Sequence, residues 1–258
     1  MLAFFMLPLM AVCASFFFPP ATGFLQRKVS LNRDEYCYQV FLPKNYTPKQ
    51  KWPVILFLHG AGERGADCEA QAEVGLGALL LQQRETFPCI VVLPQCRARE
   101  VWFGAMEQYA LQALEQSLAE FNGDRARVYL TGLSMGGYGT FYLAARNANK
   151  FAALMPICGG VVPPPGFPFP PKAQEQLPRA KPYETIAKQI GTTPVWIFHG
   201  EADPTIPVSE SRNMAAALRA LGGNVKYTEY RGVEHNSWDR AYAEKEWLPW
   251  MLAQKLGK

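Results

Sequence analysis

The segment Gly132-Leu133-Ser134-Met135-Gly136 follows a β-branched and aromatic run at 128–130 and precedes a helix-compatible run at 138–146. This arrangement is typical of a nucleophile elbow, a strand-to-helix turn that holds a serine in a strained backbone conformation. The glycines remove side chains that would collide in so tight a turn. The alternative for an isolated match is an ordinary glycine-rich turn. The flanking runs favour the elbow, which predicts that Ser134 presents its hydroxyl to a carbonyl group.

An elbow serine needs a base and a carboxylate, because its hydroxyl is a weak nucleophile at neutral pH. Asp203 lies just after the apolar run 195–198 and is the candidate carboxylate. The alternative interpretation is that Asp203 is an ordinary turn residue before a proline. The chain has 3 histidines, and only His235 follows Asp203, in a polar loop where a lone histidine is usually just solvated. Serine, aspartate and histidine in this order match the α/β-hydrolase triad. We therefore expect Ser134, Asp203 and His235 to be catalytic.

Acyl transfer also requires hydrogen-bond donors for the oxyanion that develops on the attacked carbonyl. The amide of Met135 follows the nucleophile at a helix N-terminus and supplies one donor. The second donor is expected from the glycine-flanked loop after the run 54–58, with the amide of Ala61 preferred and that of Gly62 as the alternative. His59 begins this loop, and we expect it to buttress the loop and not to transfer protons.

Short apolar runs alternate with helix-length amphipathic segments from about residue 36 onward. This alternation predicts an α/β protein with a mainly parallel sheet covered on both faces. The predicted strands are 36–42, 54–58, 90–93, 128–130, 153–157, 195–198 and 225–230. The predicted helices are 70–83, 106–121, 138–146, 209–221 and 240–254.

The length of 258 residues fits one large domain, since such a chain buries a sizeable core without disulfides or metals. We expect an N-terminal apolar segment at 1–22 and a catalytic domain at 23–258. A proline-rich insertion at about 160–185 interrupts the alternation, and prolines dominate 161–171. Two interpretations stay open for this insertion: a stiff surface excursion, or a lid or substrate wall over the serine.

The formal charge is only +4 and there is no block of Lys or Arg, which argues against nucleic acid or a polybasic membrane contact. The first eighteen residues carry no charge and are mostly apolar, which favours an export signal and a secreted or periplasmic protein. The usual positively charged start is missing. The alternatives are an uncleaved N-terminal anchor, the only membrane attachment that we expect, and a misassigned start codon.

The 6 cysteines are Cys13, Cys37, Cys68, Cys89, Cys96 and Cys158. They form no C-x-x-C pair, so the spacing supports neither a zinc site nor a thioredoxin-type motif. Cys89 and Cys158 lie in apolar runs and are expected to be buried. If the protein is exported, a loop disulfide between Cys68 and Cys96 is one pairing to test.

Several residues near these motifs have two interpretations. Glu63 and Arg64 form an ion pair that braces the oxyanion loop, or else they face solvent. Trp102 is assigned to substrate binding as the wall of an acyl or aromatic pocket, and the alternative is ordinary core packing. Trp238, three residues after His235, is expected to position the histidine loop.

Four segments carry a resemblance to a known family: LHGAGERG at 58–65, GLSMGG at 132–137, HGEADPTIP at 199–207 and HNSW at 235–238. Together they resemble the α/β-hydrolase esterases related to dienelactone hydrolases, phospholipase/carboxylesterases and feruloyl or acetylxylan esterases, a group often labelled "predicted peptidase". The resemblance covers about 36–254 and implies an eight-stranded, mostly parallel sheet. A dienelactone hydrolase typically uses cysteine as nucleophile, so Ser134 argues against that substrate.

The sequence predicts a serine carboxylesterase that needs no metal or organic cofactor and acts on a small-molecule or polysaccharide-linked ester. Two alternatives remain. One is a serine peptidase of the same fold, against which the absence of a large propeller or cap domain argues. The other is a non-catalytic binding protein of this fold, against which the complete set of triad residues argues.

Overall fold

The computed structural model describes residues 22–167, 169–175 and 177–257. A sheet of eight strands, in the order β1-β2-β4-β3-β5-β6-β7-β8, runs through this part of the chain. The strands are β1 Gly23–Leu31, β2 Asp34–Leu42, β3 Trp52–Leu58, β4 Ile90–Pro94, β5 Gly123–Leu133, β6 Ala153–Ile157, β7 Val195–Gly200 and β8 Val225–Tyr230. Strands β3 to β8 are mutually parallel, whereas β1 and β2 are antiparallel additions. The predicted α/β-hydrolase sheet is confirmed.

Eight α-helices and one 3-10 turn, Ala70–Ala72, accompany the sheet in the described ranges. The helices are α1 Leu76–Gln83, α2 Ala105–Glu120, α3 Met135–Arg146, α4 Pro171–Gln174, α5 Pro182–Ile190, α6 Ser209–Ala220, α7 Trp238–Ala243 and α8 Trp247–Leu252. None of these helices is both long and apolar enough to cross a membrane. The N-terminal segment 1–22, to which the export-signal prediction applies, lies almost entirely outside the described residues.

Two apolar cores lie on opposite faces of the sheet. One core is formed with α2, α3, α5 and α6, and the other with α1, α7 and α8. Strands β3, β4, β6 and β7 are buried along their whole length. Strands covered on both faces consist of continuous apolar runs, which is why the sequence located them well.

Strand β1 was not predicted, and its environment explains why. Its residues GFLQRKVSL are mostly exposed or half-buried, and the strand pairs only with β2 at the edge of the sheet. An edge strand with one packed face shows no continuous apolar run.

Two predicted helices are each divided. The segment 70–83 breaks at Gly75, whose φ of 54° lies in the left-handed region. The segment 240–254 breaks at Glu244, which has an extended backbone. Pro249 lies in the first turn of α8, where its missing N–H costs no helical hydrogen bond.

Candidate active site

Ser134 lies immediately after β5 and begins helix α3, with φ 52° and ψ −116°. This is the strained conformation expected of an elbow serine. A Cβ atom at Gly136 would overlap the carbonyl oxygen of Leu58, and one at Gly132 would overlap the backbone of Gly136. The two glycines are therefore required by close backbone approach, as the sequence predicted.

A second glycine contact brings the loops after β7 and β8 together. A Cβ atom at Gly200 would overlap the carbonyl oxygens of Val233 and Glu234. The loop that contains these two residues also accepts a hydrogen bond at Val233 O from the amide of Ala202, at 2.9 Å. Because glycine allows this approach, Asp203 and His235 meet at the end of the sheet where β5 also ends.

The structure brings the three predicted triad residues into one hydrogen-bonded chain. His235 Nε2 lies 2.9 Å from Ser134 Oγ, and His235 Nδ1 lies 2.7 Å from Asp203 Oδ2. Because the carboxylate accepts the proton on Nδ1, Nε2 is left to accept the serine proton. The ring of Trp238 meets the His235 ring edge-on, with centroids 5.5 Å apart, in keeping with the expected packing role.

Asp203 is held as a carboxylate. Burial by itself raises the pKa of Asp203, but hydrogen bonds from His199, His235 and the amide of Ile206 outweigh burial and lower the pKa well below its ordinary value. Its Oδ1 accepts from the amides of Thr205 and Ile206 at 2.8 and 2.9 Å. An anion in this position stabilises a positive charge that forms on His235.

His59 is fully buried at the start of the 59–65 loop. Its Nδ1–H donates to the Gly60 carbonyl at 2.6 Å, and its Nε2 accepts from the Cys96 amide at 2.9 Å. Burial lowers the pKa of His59 to about 4, so the ring is neutral near pH 7. Both ring nitrogens bind backbone, which matches the buttressing role and leaves neither nitrogen for proton transfer.

Arg64 braces the same loop in a way that the sequence did not predict. Its Nε donates to the carbonyl of Ala61 at 2.9 Å, and its terminal nitrogen reaches the carbonyl of Glu100 at 3.3 Å. Glu63 Oε2 instead lies 3.9 Å from His59 Nδ1 and has no hydrogen-bond partner in the described structure. The expected ion pair between Glu63 and Arg64 is therefore not formed, and burial raises the pKa of Glu63.

The oxyanion loop lies directly against the serine. A Cβ atom built on Gly60 would be 3.7 Å from Ser134 Cβ, so the loop that contains Ala61 and Gly62 borders the nucleophile. Met135 directly follows the serine, and its amide lies at the start of α3. These are the positions from which the sequence expected oxyanion donors.

A cavity of about 680 Å³ opens in front of Ser134 and His235. Glycines and Ala61 of the oxyanion loop form one side, and residues from 164–167 of the insertion form another. The remaining wall comes from the loops that contain Asp203 and Trp238. The lining residues are Gly60, Ala61, Gly62, Glu63, Leu133, Ser134, Pro164, Pro165, Gly166, Phe167, Pro204, Thr205, Pro207, His235 and Trp238.

The proline-rich insertion is packed onto the domain. Its amides at Val161 and Val162 both donate to Glu210 Oε2 at 2.8 Å, and Tyr142 donates to the carbonyl of Val161. Further along, Phe167 packs on Tyr138 with ring centroids 5.5 Å apart. Residues 164–167 of the insertion thus line the cavity that Ser134 and His235 also line.

Trp102 corrects the sequence-based assignment. Its side chain is 1% exposed, is not part of the cavity lining, and donates from Nε1 to the carbonyl of His59 at 3.0 Å. Its edge also meets the His59 ring. Trp102 is thus a core residue that supports the oxyanion loop from behind, and core packing was the correct alternative.

The pairing of Cys68 with Cys96, which the sequence offered as one to test, is not formed. Cys68 is bonded to Cys37 on strand β2, 31 positions earlier, whereas Cys96 is buried with a free thiol. The amide of Cys96 donates to His59 Nε2 at 2.9 Å. The expected burial of Cys89 and Cys158 is confirmed.

Three buried polar residues near the site were not identified from the sequence. Gln95 binds the Cys68 amide and the Glu63 carbonyl at 2.8 and 3.1 Å, Glu210 anchors the insertion, and His199 contacts Asp203. Only His199 had a visible signal, a histidine at a strand end four positions before the acid. Within the described ranges no group of three or more His, Cys, Asp or Glu is placed to hold a metal ion.

The chain has recognisable relatives. A bifunctional acetylxylan esterase/xylanase of Neocallimastix patriciarum is 32% identical over 124 residues, covering 46% of this chain and 17% of that protein. A "Probable carboxylesterase" of Oryza sativa subsp. japonica is 26% identical over 228 residues, covering 79% and 90%. The solved structure of a thermostable esterase superposes with a TM-score of 0.74 at 32% identity, covering 90% of this chain and 63% of that one.

This chain therefore spans less than a fifth of the acetylxylan esterase/xylanase and less than two thirds of the thermostable esterase. A family model described as "Putative esterase" matches residues 30–255, a range that includes the elbow, the histidine loop and the insertion. On that match, the chain belongs to this esterase family.

Proposed function

We propose that the protein is a serine carboxylesterase in which Ser134, His235 and Asp203 act as the triad. The observation that carries the proposal is the chain of contacts from Ser134 Oγ to His235 Nε2, at 2.9 Å, and from His235 Nδ1 to Asp203 Oδ2, at 2.7 Å. These distances lie in the range in which a base takes a proton from a nucleophile. Membership of the esterase family supports the same reaction.

The reaction begins when His235 Nε2 takes the proton of Ser134 as its Oγ attacks the ester carbonyl. The new C–O bond places a negative charge on the former carbonyl oxygen. We assign the amides of Met135 and Ala61 to this oxyanion. His235 then gives its proton to the departing alcohol, which leaves an acyl group on Ser134.

Deacylation repeats these steps with water. His235 removes a proton from water as the water oxygen attacks the acyl-enzyme, and the second oxyanion occupies the same donors. When the intermediate collapses, the proton returns to Ser134 and the carboxylic acid leaves. Asp203 remains ionised throughout and keeps the proton on Nδ1 of His235.

The substrate is an ester that fits a cavity of about 680 Å³ bordered by prolines and by the rings of Phe167 and Trp238. A small-molecule ester and an ester group attached to a polysaccharide both meet this description. Initial rates on acetyl, butyryl, longer acyl and feruloyl esters rank the acyl groups, and a peptide amide in the same series tests the peptidase alternative.

The decisive experiment compares Ser134→Ala with the wild type on p-nitrophenyl acetate. We expect the activity to fall by roughly 10⁴-fold or more, while circular dichroism and the melting temperature stay unchanged. Ser117→Ala is the matched control, because Ser117 is a buried serine in α2 that bonds within its own helix. Labelling of Ser134 by a fluorophosphonate probe is expected in the wild type and in Ser117→Ala. Full activity of Ser134→Ala would refute the proposal.

We further propose that the protein works in an oxidising compartment outside the cytoplasm. The Cys37–Cys68 disulfide supports this, since such bonds persist in exported proteins and are rare in the cytosol. Expression of the full chain followed by N-terminal sequencing of the exported product tests the proposal and identifies any cleavage point. Retention of the whole product inside the cell would argue against it.

A further inference from the structure

His199 is the second histidine that contacts Asp203. It lies near the end of β7, four positions before Asp203, and its side chain is 0% exposed. Its Nε2 lies 3.2 Å from Asp203 Oδ2 and 3.0 Å from the carbonyl oxygen of Ile206. Both neighbours are acceptors, so Nε2 carries the hydrogen and donates to them.

The other ring nitrogen fixes this tautomer. His199 Nδ1 lies 2.6 Å from the hydroxyl oxygen of Ser211, a fully buried residue of helix α6. A neutral imidazole with its hydrogen on Nε2 has a lone pair on Nδ1, and the Ser211 hydroxyl donates to it. His199 is therefore held between the helix and the carboxylate, with its donor aimed at Asp203.

With His199 included, Asp203 receives four hydrogen bonds. The amides of Thr205 and Ile206 occupy Oδ1, and the rings of His199 and His235 share Oδ2. A carboxylate offers about four lone-pair directions, so this one is saturated. Its plane is fixed by the two amides, and the charge on Oδ2 is divided between two imidazoles.

We propose that His199 is a positioning residue that orients Asp203 and limits how strongly Oδ2 attracts the proton-bearing Nδ1 of His235. The proposal rests on the triad proposed above. Removal of the His199 donor leaves Oδ2 to His235 alone. The carboxylate then binds His235 more strongly, and the charged form of His235 is favoured.

Other charged and titratable groups also face this region. From β8, Glu229 is the register partner of His199 and binds Arg212 of α6. Cys158, after β6, and Tyr138, on α3, lie near Asp203 and have pKa values raised by burial. None of them contacts Oδ2 in the described structure, so the two imidazoles are the groups that compete for it.

The test uses two amide variants of different length. His199→Gln places an amide N–H2 group near the position of Nε2, whereas the shorter side chain of His199→Asn reaches no farther than Nδ1. Because the chain has only 3 histidines, the imidazole signals of His59, His199 and His235 are assigned by NMR from single variants. The His235 titration is then followed directly, without any substrate.

We expect the midpoint of the His235 titration to rise by about one pH unit in His199→Asn, which corresponds to about 1.4 kcal/mol of added preference for the charged imidazole. In His199→Gln it is expected to stay within a few tenths of a unit of the wild type. The acidic limb of kcat/KM against pH for p-nitrophenyl acetate is expected to move in parallel. A folded His199→Asn variant with an unmoved midpoint and limb would overturn the proposal, as would equal shifts in both variants.

If His199→Asn fails to fold, Ser211→Ala decides the question. This variant removes the hydroxyl that donates to His199 Nδ1, so His199 is no longer held with its hydrogen on Nε2. We therefore expect a smaller upward shift of the His235 midpoint. An unchanged midpoint would overturn the proposal. Failure of the wild type to hydrolyse esters would contradict the proposed function alone, because the NMR midpoint does not depend on turnover.

Discussion

Glu210 Oε2 lies 2.8 Å from the amide nitrogen of Val161, so that a buried carboxylate on helix α6 holds the first residues of the insertion. The same oxygen accepts from the amide of Val162 at 2.8 Å, and Oε1 accepts from the Tyr183 hydroxyl at 2.6 Å. Tyr183 belongs to α5, near the far end of the insertion. A single side chain thus holds both ends of the insertion.

We expect Glu210→Gln to destabilise the protein by roughly 1–3 kcal/mol, because its amide replaces an acceptor that is shared by buried donors. The insertion should also be held less firmly at the cavity. We therefore expect KM for long-chain p-nitrophenyl esters to rise more than KM for p-nitrophenyl acetate. Unfolding in urea and a chain-length series of p-nitrophenyl esters measure the two effects. Tyr183→Phe removes one of the three donors and should give a smaller loss. Equal changes in KM across the series would contradict a role in holding the wall.

Gly200→Ala is expected to reduce kcat/KM by about 100-fold, the cost of displacing a catalytic group by about 1 Å. Its Cβ would overlap the carbonyl oxygens of Val233 and Glu234 and push the histidine loop away from Asp203. Gly257→Ala is the control, since a Cβ there meets nothing within 4 Å and Gly257 lies outside the cavity lining. Activity assays and melting temperatures of both variants measure the difference. A fully active Gly200→Ala would show that the loop tolerates this displacement.

The loop after β3 should make a pH-dependent contribution to stability through Asp67. Hydrogen bonds from the amides of Ala70 and Glu69 lower the pKa of Asp67 from 3.8 to about 2. Because the folded pKa is depressed, this contribution is fully present above about pH 4 and is lost as the pH falls through about 2. The stability difference between wild type and Asp67→Asn is therefore expected to be larger at pH 6 than at pH 2.

Chemical denaturation at several pH values checks this expectation. Glu69→Gln is the control, because it removes an exposed carboxylate from the same loop. Asp67 is itself exposed, so water screens the effect and only its direction with pH is diagnostic. A difference between wild type and Asp67→Asn that grows as the pH falls would contradict the assignment.

The Cys37–Cys68 disulfide connects strand β2 to the segment that follows the oxyanion loop. We expect the double variant Cys37→Ser, Cys68→Ser to lose roughly 2–4 kcal/mol of stability. Dithiothreitol should lower the melting temperature of the wild type but not that of the double variant. Mass spectrometry of a non-reduced digest identifies the linked peptides, and a peptide pair that joins Cys68 to Cys96 would contradict the structure.

The sequence predicted the features that depend on chain order and local pattern. Continuous apolar runs identified the strands that are covered on both faces, and the glycines of the elbow identified Ser134. Asp203 and His235 were predicted as partners of Ser134 because a triad of this kind requires a fixed chain order and the chain has few histidines, and the structure brings the three side chains into hydrogen-bond contact. In each case a pattern in the sequence left few alternatives.

Features that depend on distant packing were not predicted. An aromatic residue near a motif, such as Trp102, is equally compatible with a cavity wall and with the core. The spacing of cysteines along the chain does not define which of them pair. Cys37 meets Cys68 only because β2 packs beside the segment that follows the 59–65 loop. His199 contacts Asp203 only because the chain turns back after β7. Glu210 binds the amides of Val161 and Val162 only once the insertion has folded.

The insertion leaves the sheet after β6 and returns to it at β7, while Ser134, Asp203 and His235 follow β5, β7 and β8. Its length and sequence are therefore free to change without altering the register of any strand that supports those three residues. The fold separates the three residues of the proposed triad from the segment that borders their cavity. Such an arrangement makes the insertion a module whose exchange leaves in place the strands that carry Ser134, Asp203 and His235.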